Sequence, residues 1–297
     1  MIKLLYWRPY KDSFTNYGDE LSPYIISKLS GCTIQQKDPY IQKLRKRWLH
    51  AIKLIITGKW SFFMRLLRAR ENNILAIGSI LRFGNKVSKI WGSGFMCKEE
   101  QCIGGYIYAL RGTLSLDLAK QQNLNFMSQI AIGDPALLLP LVLPLKKTYN
   151  FKFGLIPHYS EYEELKSLLG DKIKLIKLQD GDVESITKEI LSCQYIISTS
   201  LHGLIVAHAY GIPALWFENS RLELNTHGFK FYDYFSSVGI ESYVPFRNFD
   251  YILNSQELLN KIFEENMEKS LPSYDVRYIQ KELLRNAPFD IKKEFLI

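Results

Sequence analysis

Short apolar runs alternate with helix-forming stretches along most of this chain, and that alternation leaves few folds open to it. Runs at 3–7, 74–77, 89–91, 106–110 and 130–132 read as strands, with helices over 20–29 and 114–121 between them. Pro140 and Pro144, followed by Lys146 and Lys147, read as a crossing between two lobes. A second series has strands at 151–156, 173–178 and 195–197 and helices at 161–169 and 183–193. Two further helices, 256–268 and 274–285, complete the pattern. Alternation on both sides of a crossing predicts an α/β protein of two doubly wound, parallel-sheet lobes with a cleft between them. The expected lobes are 1–140 and 150–297.

A chain of 297 residues is ample for a substantial core, and 47% hydrophobic with 13% aromatic residues excludes a disordered protein. Cys32, Cys97, Cys102 and Cys193 are scattered without a zinc-ligand pattern, so free thiols and no metal are expected. No apolar run approaches bilayer length. The N-terminus meets charge at Lys3 and Arg8, too early for a signal peptide, so a cytoplasmic place is expected.

The net charge of +8 is concentrated in one segment: residues 37–70 hold ten Lys/Arg against one acid, Asp38. Within it Ile41, Leu44, Trp48, Ile52 and Ile55 recur at helical spacing, with Lys43, Arg45, Lys46, Arg47 and Lys53 largely on other faces. After Gly58 a second run places Trp60, Phe63, Met64 and Leu67 beside Arg65, Arg68 and Arg70. A basic helical insert over 37–72 in the first lobe is expected, with an anionic membrane surface as partner of residues 41–70. The plainer alternative is a hairpin whose apolar face packs on the body. Nucleic acid is set aside, because the aromatics lie on an apolar stripe and are not interleaved as stacking platforms.

Chemistry concentrates at 196–213. The strand ending at Ile197 runs into Ser198, Thr199 and Ser200, and His202 then opens a small-residue helix that Gly211 and Pro213 end. Hydroxyls, free amides and an imidazole at one helix N-terminus suit an anion; an ordinary strand-to-helix turn with a serine cap has the same spacing. No phosphate-binding Gly-x-x-x-x-Gly-Lys loop and no Gly-x-Ser-x-Gly elbow is present.

Further motifs come in one order. They are Asn16-Tyr17-Gly18-Asp19-Glu20-Leu21-Ser22, Gly78-Ser79-Ile80-Leu81, Trp91-Gly92-Ser93-Gly94-Phe95 and Arg111-Gly112. Then follow Gly133-Asp134-Pro135-Ala136-Leu137-Leu138, Gly154-Leu155-Ile156-Pro157-His158-Tyr159, Ser200-Leu201-His202-Gly203 and Phe229-Lys230-Phe231-Tyr232-Asp233-Tyr234-Phe235. Together they resemble the polysaccharide pyruvyltransferase family, over about residues 3 to 245 without the basic insert. The resemblance implies a fold like that of two-lobed GT-B glycosyltransferases. It also implies transfer of pyruvate from phosphoenolpyruvate to two sugar hydroxyls, giving a cyclic ketal and phosphate. Phosphoenolpyruvate is then a co-substrate, and no cofactor is expected. The implied acceptor is a lipid-linked oligosaccharide or polysaccharide unit, met at the inner face of the cytoplasmic membrane.

Carried onto this chain, the resemblance makes His202 the general acid and Arg111 a bidentate clamp for the donor. Ser198, Ser200, Leu201 and Gly203 are expected around the donor. Some relatives carry arginine where Ser200 stands, and Lys230 is the candidate for the missing cation. Asp19 is the expected base, and Asn16, Gly18 and His158 are assigned to the acceptor. Asp134 is expected as a turn residue and His208 as a packed one. Two rivals stay open: a GT-B glycosyltransferase using a nucleotide sugar, and a non-catalytic membrane-associated assembly protein.

Overall fold

The structure, a computed structural model, describes residues 1–7, 15–37, 72–169, 173–179, 182–219, 228–247, 249–253 and 255–296. The basic insert expected over 37–72, with its surface-binding stretch 41–70, lies outside the described residues apart from its ends.

Six strands form the first sheet: β1 (Ile2–Leu5), β2 (Ile34–Lys37), β3 (Ile74–Leu75), β4 (Lys89–Trp91), β5 (Tyr106–Leu110) and β6 (Asn125–Ile132). Their order is β2-β1-β3-β4-β5-β6, and every pairing is parallel. The second sheet holds β7 (Phe151–Ile156), β8 (Lys174–Leu175), β9 (Cys193–Ser198) and β10 (Ala214–Trp216), in the order β10-β9-β7-β8, again all parallel. This is the two-sheet α/β class that the alternation predicts. Parallel neighbours cannot be joined by tight turns, so crossovers must carry the chain back.

Helices between the strands are α1 (Tyr17–Ser30), α2 (Thr113–Gln121), the short α3 (Leu139–Val142), α4 (Tyr162–Leu168), α5 (Val183–Leu191) and α6 (Leu201–Ala209). After β10 come α7 (Phe229–Val238), α8 (Phe249–Leu253), α9 (Gln256–Glu265) and α10 (Val276–Arg285). In each sheet the chain steps first to one side and then to the other, so β1 lies between β2 and β3, and β7 between β8 and β9. Such reversals open a crevice beyond the carboxyl ends of the strands.

Local sequence explains the helices that face this crevice. Asn16 caps α1, its side chain accepting from the Gly18 amide at 3.3 Å, and Gly31 ends it in the left-handed region with its N–H on the Ser27 carbonyl. Leu21, Ile25, Ile26 and Leu29 line its inner face. Helix α6 is apolar all round, with Leu204, Ile205, Val206 and Ala207 wholly buried, as suits a helix enclosed on every side. One continuous core takes Leu4 and Leu21 from the first lobe, Leu137 to Leu139 from the crossing, and Ile156, Leu204 and Ile205 from the second. The lobes therefore share an interior.

Some elements depart from the expectation. Strands β2 and β10 are absent from the sequence reading, and β6 begins five residues before the expected 130. Helix α10, grouped by the sequence with the second lobe, packs on β6 of the first. Its apolar stripe, Ile279, Leu283 and Leu284, is covered there. Trp91 Nε1 donates to the Leu283 carbonyl at 2.9 Å, Phe289 meets the Trp91 ring edge-on at 5.1 Å, and Lys292 N–H reaches the Leu29 carbonyl at 2.9 Å.

Candidate active site

A pocket of about 320 Å³ opens where the carboxyl ends of both sheets meet. From the first lobe it is lined by Trp7 beyond β1, Asn16 and Asp19 at the start of α1, Gly78, Ser79, Ile80, Arg82 and Phe83 beyond β3, and Met96 beyond β4. From the second lobe come His158 and Tyr159 beyond β7, Leu178 beyond β8, Ser200, Leu201 and His202 beyond β9, and Lys230 at the start of α7. Both sheet reversals thus feed one cavity.

His202 stands in the first turn of α6, after the N-cap Ser200. Its ring lies against the backbone of α1: a Cβ at Gly18 would fall 2.1 Å from His202 Nδ1. Only glycine permits that approach. The residue keeps an exposed edge, but Nε2 is sealed from solvent and has no hydrogen-bond partner among the described residues. Burial, then the charges of Lys230 and Arg111, push its pKa down to about 3. That shift favours the neutral ring in the empty pocket.

Lys230 lines the same cavity, half-buried, with its ammonium 5.4 Å from the Phe231 ring centre. It makes no ion pair among the described residues. Burial and the Arg111 charge lower its pKa to about 8, against the opposing pull of Glu161. Ser200 lines the same cavity. Asp19 accepts from Asn16 Nδ2 at 2.8 Å, and burial, with help from Glu20, raises it to about 7 against that hydrogen bond. A carboxyl that exchanges its proton near neutrality, facing a cation and an imidazole, is suited to proton transfer. His158 lies on the wall with Nδ1 2.8 Å from Ser160 Oγ, its pKa lowered to about 4 by burial and by Lys230.

Arg111, expected as a clamp on the donor, does not line the cavity. It is wholly buried behind the wall, Nε donating to Asp233 Oδ2 at 2.9 Å and Nη2 to the Phe95 carbonyl at 2.6 Å. Its Nη1 holds Ser79 Oγ at 2.5 Å. Asp233 is completed by the Ser115 amide and hydroxyl, at 2.7 and 2.6 Å. A guanidinium at the end of β5 is thereby tied to an acid on α7, joining the lobes. Its charge reaches the pocket through space and through Ser79.

Ser198 and Gly203 also belong to the framework and not to the lining. Ser198 Oγ lies 2.9 and 2.8 Å from the carbonyls of Ile156 and Ser200 and accepts from the Ser200 amide at 3.0 Å. A Cβ at Gly203 would sit 2.4 Å from that hydroxyl, so the glycine lets α6 press on the strand end. Gly18 plays the corresponding part beneath His202. Asp134 caps the turn at Pro135–Leu138 through the Ala136 amide, at 2.9 Å, and His208 is packed between Tyr234 Oη and the Ala214 carbonyl, both as the sequence suggests.

The sequence reading missed Ser79 and Arg82 as lining residues and the aromatic wall of Trp7, Phe83 and Tyr159. Their signal was position, directly beyond strand ends. It also missed Asp233 and Glu161, each wholly buried and each paired far along the chain.

Comparison with known proteins gives a family model described as polysaccharide pyruvyl transferase, which matches residues 16–221 and so includes Asn16, Asp19 and His202. A protein of Acanthamoeba polyphaga mimivirus, described as "Uncharacterized protein L143", is 34% identical over 177 residues. That alignment covers 56% of this chain, which spans only 60% of the relative's length. No solved structure matches.

Proposed function

The chain belongs to the polysaccharide pyruvyl transferase family, a family of transferases, and from the chemistry of its pocket we propose that its donor is phosphoenolpyruvate. The observation that carries this reading is the convergence of Lys230, His202 and Asp19 on one cavity at the N-terminus of α6. The donor's phosphate and carboxylate meet the Lys230 ammonium, the Ser200 hydroxyl and the first amides of α6. Desolvation makes that cation cost its own stability while the pocket is empty, and an anion relieves the cost.

The reaction balances without a further reagent. The enol methylene gains one proton and becomes the ketal methyl. The former enol carbon is attacked by two saccharide hydroxyls, which lose one proton each, and the bond to the phosphate oxygen breaks. One of those protons replaces the one given to the methylene, and the other leaves with phosphate. His202, neutral in the empty site, is drawn into its protonated form by the donor's charge and delivers the proton to the methylene. Asp19, poised near neutrality, takes a hydroxyl proton. Asn16 fixes the Asp19 carboxylate, and His158, Trp7, Phe83 and Tyr159 form the wall against which the acceptor sugar lies. The acceptor is a saccharide of a lipid-linked or polymeric precursor, and the basic residues 41–70 hold the enzyme at an anionic membrane face where such acceptors reside.

The test is incubation with phosphoenolpyruvate and a panel of saccharide acceptors. Released phosphate should match, mole for mole, the appearance of a saccharide bearing the mass of a pyruvate ketal. Consumption of a nucleotide sugar alone would transfer the pocket to glycosyl transfer. Consumption of neither donor with a proven acceptor would favour an assembly role.

A further inference from the structure

A serine to which the proposed reaction gives no part stands where the buried guanidinium meets the cavity. Ser79, half-buried beyond β3, lines the pocket. Its backbone is pinned on both sides to the end of β4. The Gly78 carbonyl accepts from Ser93 Oγ at 2.7 Å and from the Gly94 amide at 3.2 Å, and the Ile80 amide donates to Ser93 Oγ at 3.3 Å. Ser93 is itself wholly buried. The Ser79 side chain is held as firmly. Arg111 Nη1 donates to Ser79 Oγ at 2.5 Å, while Nε and Nη2 are fixed by Asp233 and the Phe95 carbonyl. A Cβ at Gly94 would fall 2.4 Å from Arg111 Cζ, so a glycine there lets the guanidinium lie in place. The direction of the Arg111 bond dictates that of the next one. A guanidinium offers no acceptor, so Ser79 Oγ accepts and its own hydrogen must go elsewhere. Among the described residues nothing accepts that hydrogen. A hydroxyl that accepts from a cation is also a stronger donor, because each bond in such a chain polarises the next.

We propose that Ser79 is a substrate-binding residue of this pocket: its O–H, held and polarised by Arg111, donates to an anionic oxygen of the bound phosphoenolpyruvate. The proposal deepens the anion-binding reading of this pocket and rests on it. Lys230, Ser200 and the first amides of α6 serve the anion from the second lobe, and Ser79 serves it from the first. The hydroxyl thus presents the influence of a wholly buried arginine at the cavity surface without exposing the guanidinium.

Ser79→Ala removes the hydroxyl, and Ser79→Cys fills its space with a weak hydrogen-bond donor. The readout is calorimetric titration of the full-length protein with phosphoenolpyruvate, inorganic phosphate and pyruvate, beside a thermal melt. Affinity for phosphoenolpyruvate should fall on the order of 10- to 100-fold in Ser79→Ala, the loss of one hydrogen bond to a charged oxygen. Ser79→Cys should weaken binding in the same direction. Thermal stability should change little, because water from the cavity can replace the lost hydroxyl beside Arg111 Nη1. A matching loss for inorganic phosphate puts the hydroxyl on the phosphate group, and a matching loss for pyruvate puts it on the carboxylate. Unchanged affinities in Ser79→Ala overturn the proposal, and so does weaker binding that comes only with lost thermal stability in both variants. If Ser79→Ala folds poorly, undiminished affinity in Ser79→Cys overturns it equally. A wild type that binds inorganic phosphate but not phosphoenolpyruvate removes the identity of the donor alone, and the Ser79 comparison is then read on phosphate.

Discussion

Replacing Gly18 by alanine perturbs His202 without touching it chemically. The new Cβ would stand 2.1 Å from Nδ1, 2.7 Å from Cγ and 2.8 Å from Cε1 of the ring. Non-bonded heavy atoms settle at about 3.5–4 Å, so the imidazole must retreat by roughly 1.5 Å. A misplacement of about 1 Å at a reacting group costs on the order of 10²-fold in rate. Stability should move far less. Alanine gains up to about 1 kcal/mol over glycine in a helix interior, and less in the first turn where Gly18 lies. Overpacking costs about 1–3 kcal/mol. The net expectation is a loss below about 3 kcal/mol, set by these opposing effects. Urea denaturation should therefore report a folded protein, while steady-state phosphate release falls on the order of 10²-fold. Because the damage acts through one ring, Gly18→Ala should add little to the defect of His202→Ala in a double-variant cycle. Wild-type turnover in Gly18→Ala, or a full additive loss in the double variant, would refute the claim that Gly18 exists to seat His202.

The pH profile of kcat/KM should be a narrow bell: activity falls below about 7 as Asp19 takes up a proton and above about 8 as Lys230 loses one. Lys230→Arg should carry the basic limb to higher pH, since a guanidinium does not deprotonate there; an unmoved limb assigns it elsewhere. Arg111→Met strands Asp233 and should destabilise by about 3–5 kcal/mol in a denaturant titration, the loss typical of breaking a buried ion pair. A change under about 1 kcal/mol would mean that this inter-lobe pair is replaceable. Neutralising Lys43, Arg45, Lys46 and Arg47 should weaken sedimentation with anionic vesicles, most at low salt. Unchanged sedimentation would return residues 41–70 to a packing role.

Much of this site was legible because strand ends advertise themselves. His158, Ser200 and His202 each follow an apolar run directly, and the parallel class dictates that such positions face the crevice. Asp19 and Asn16 were legible as a helix start, and Lys230, singled out as a candidate cation, lines the same cavity. Arg111 shows the limit. Its place just beyond β5 suggested a clamp, but its partner Asp233 lies 122 residues on, and no local pattern reveals a pair formed across two lobes. The protonation of His202 was likewise hidden, because it depends on how much water the fold excludes and on two cations from distant elements. Strand β2, Ile-Gln-Gln-Lys, escaped notice because an edge strand needs little apolar content. That helix α10 packs on β6 was not legible, because an apolar stripe shows that a face is buried and not what buries it.

Donor binding tests the central claim most directly, since it requires no acceptor. Calorimetric titration of the full-length protein with phosphoenolpyruvate should show saturable binding near neutral pH. That binding should be lost in Lys230→Ala and weakened in His202→Ala, with a nucleotide diphosphate sugar binding poorly. Tight binding of the nucleotide sugar that depends on Lys230, with no measurable binding of phosphoenolpyruvate, would contradict it.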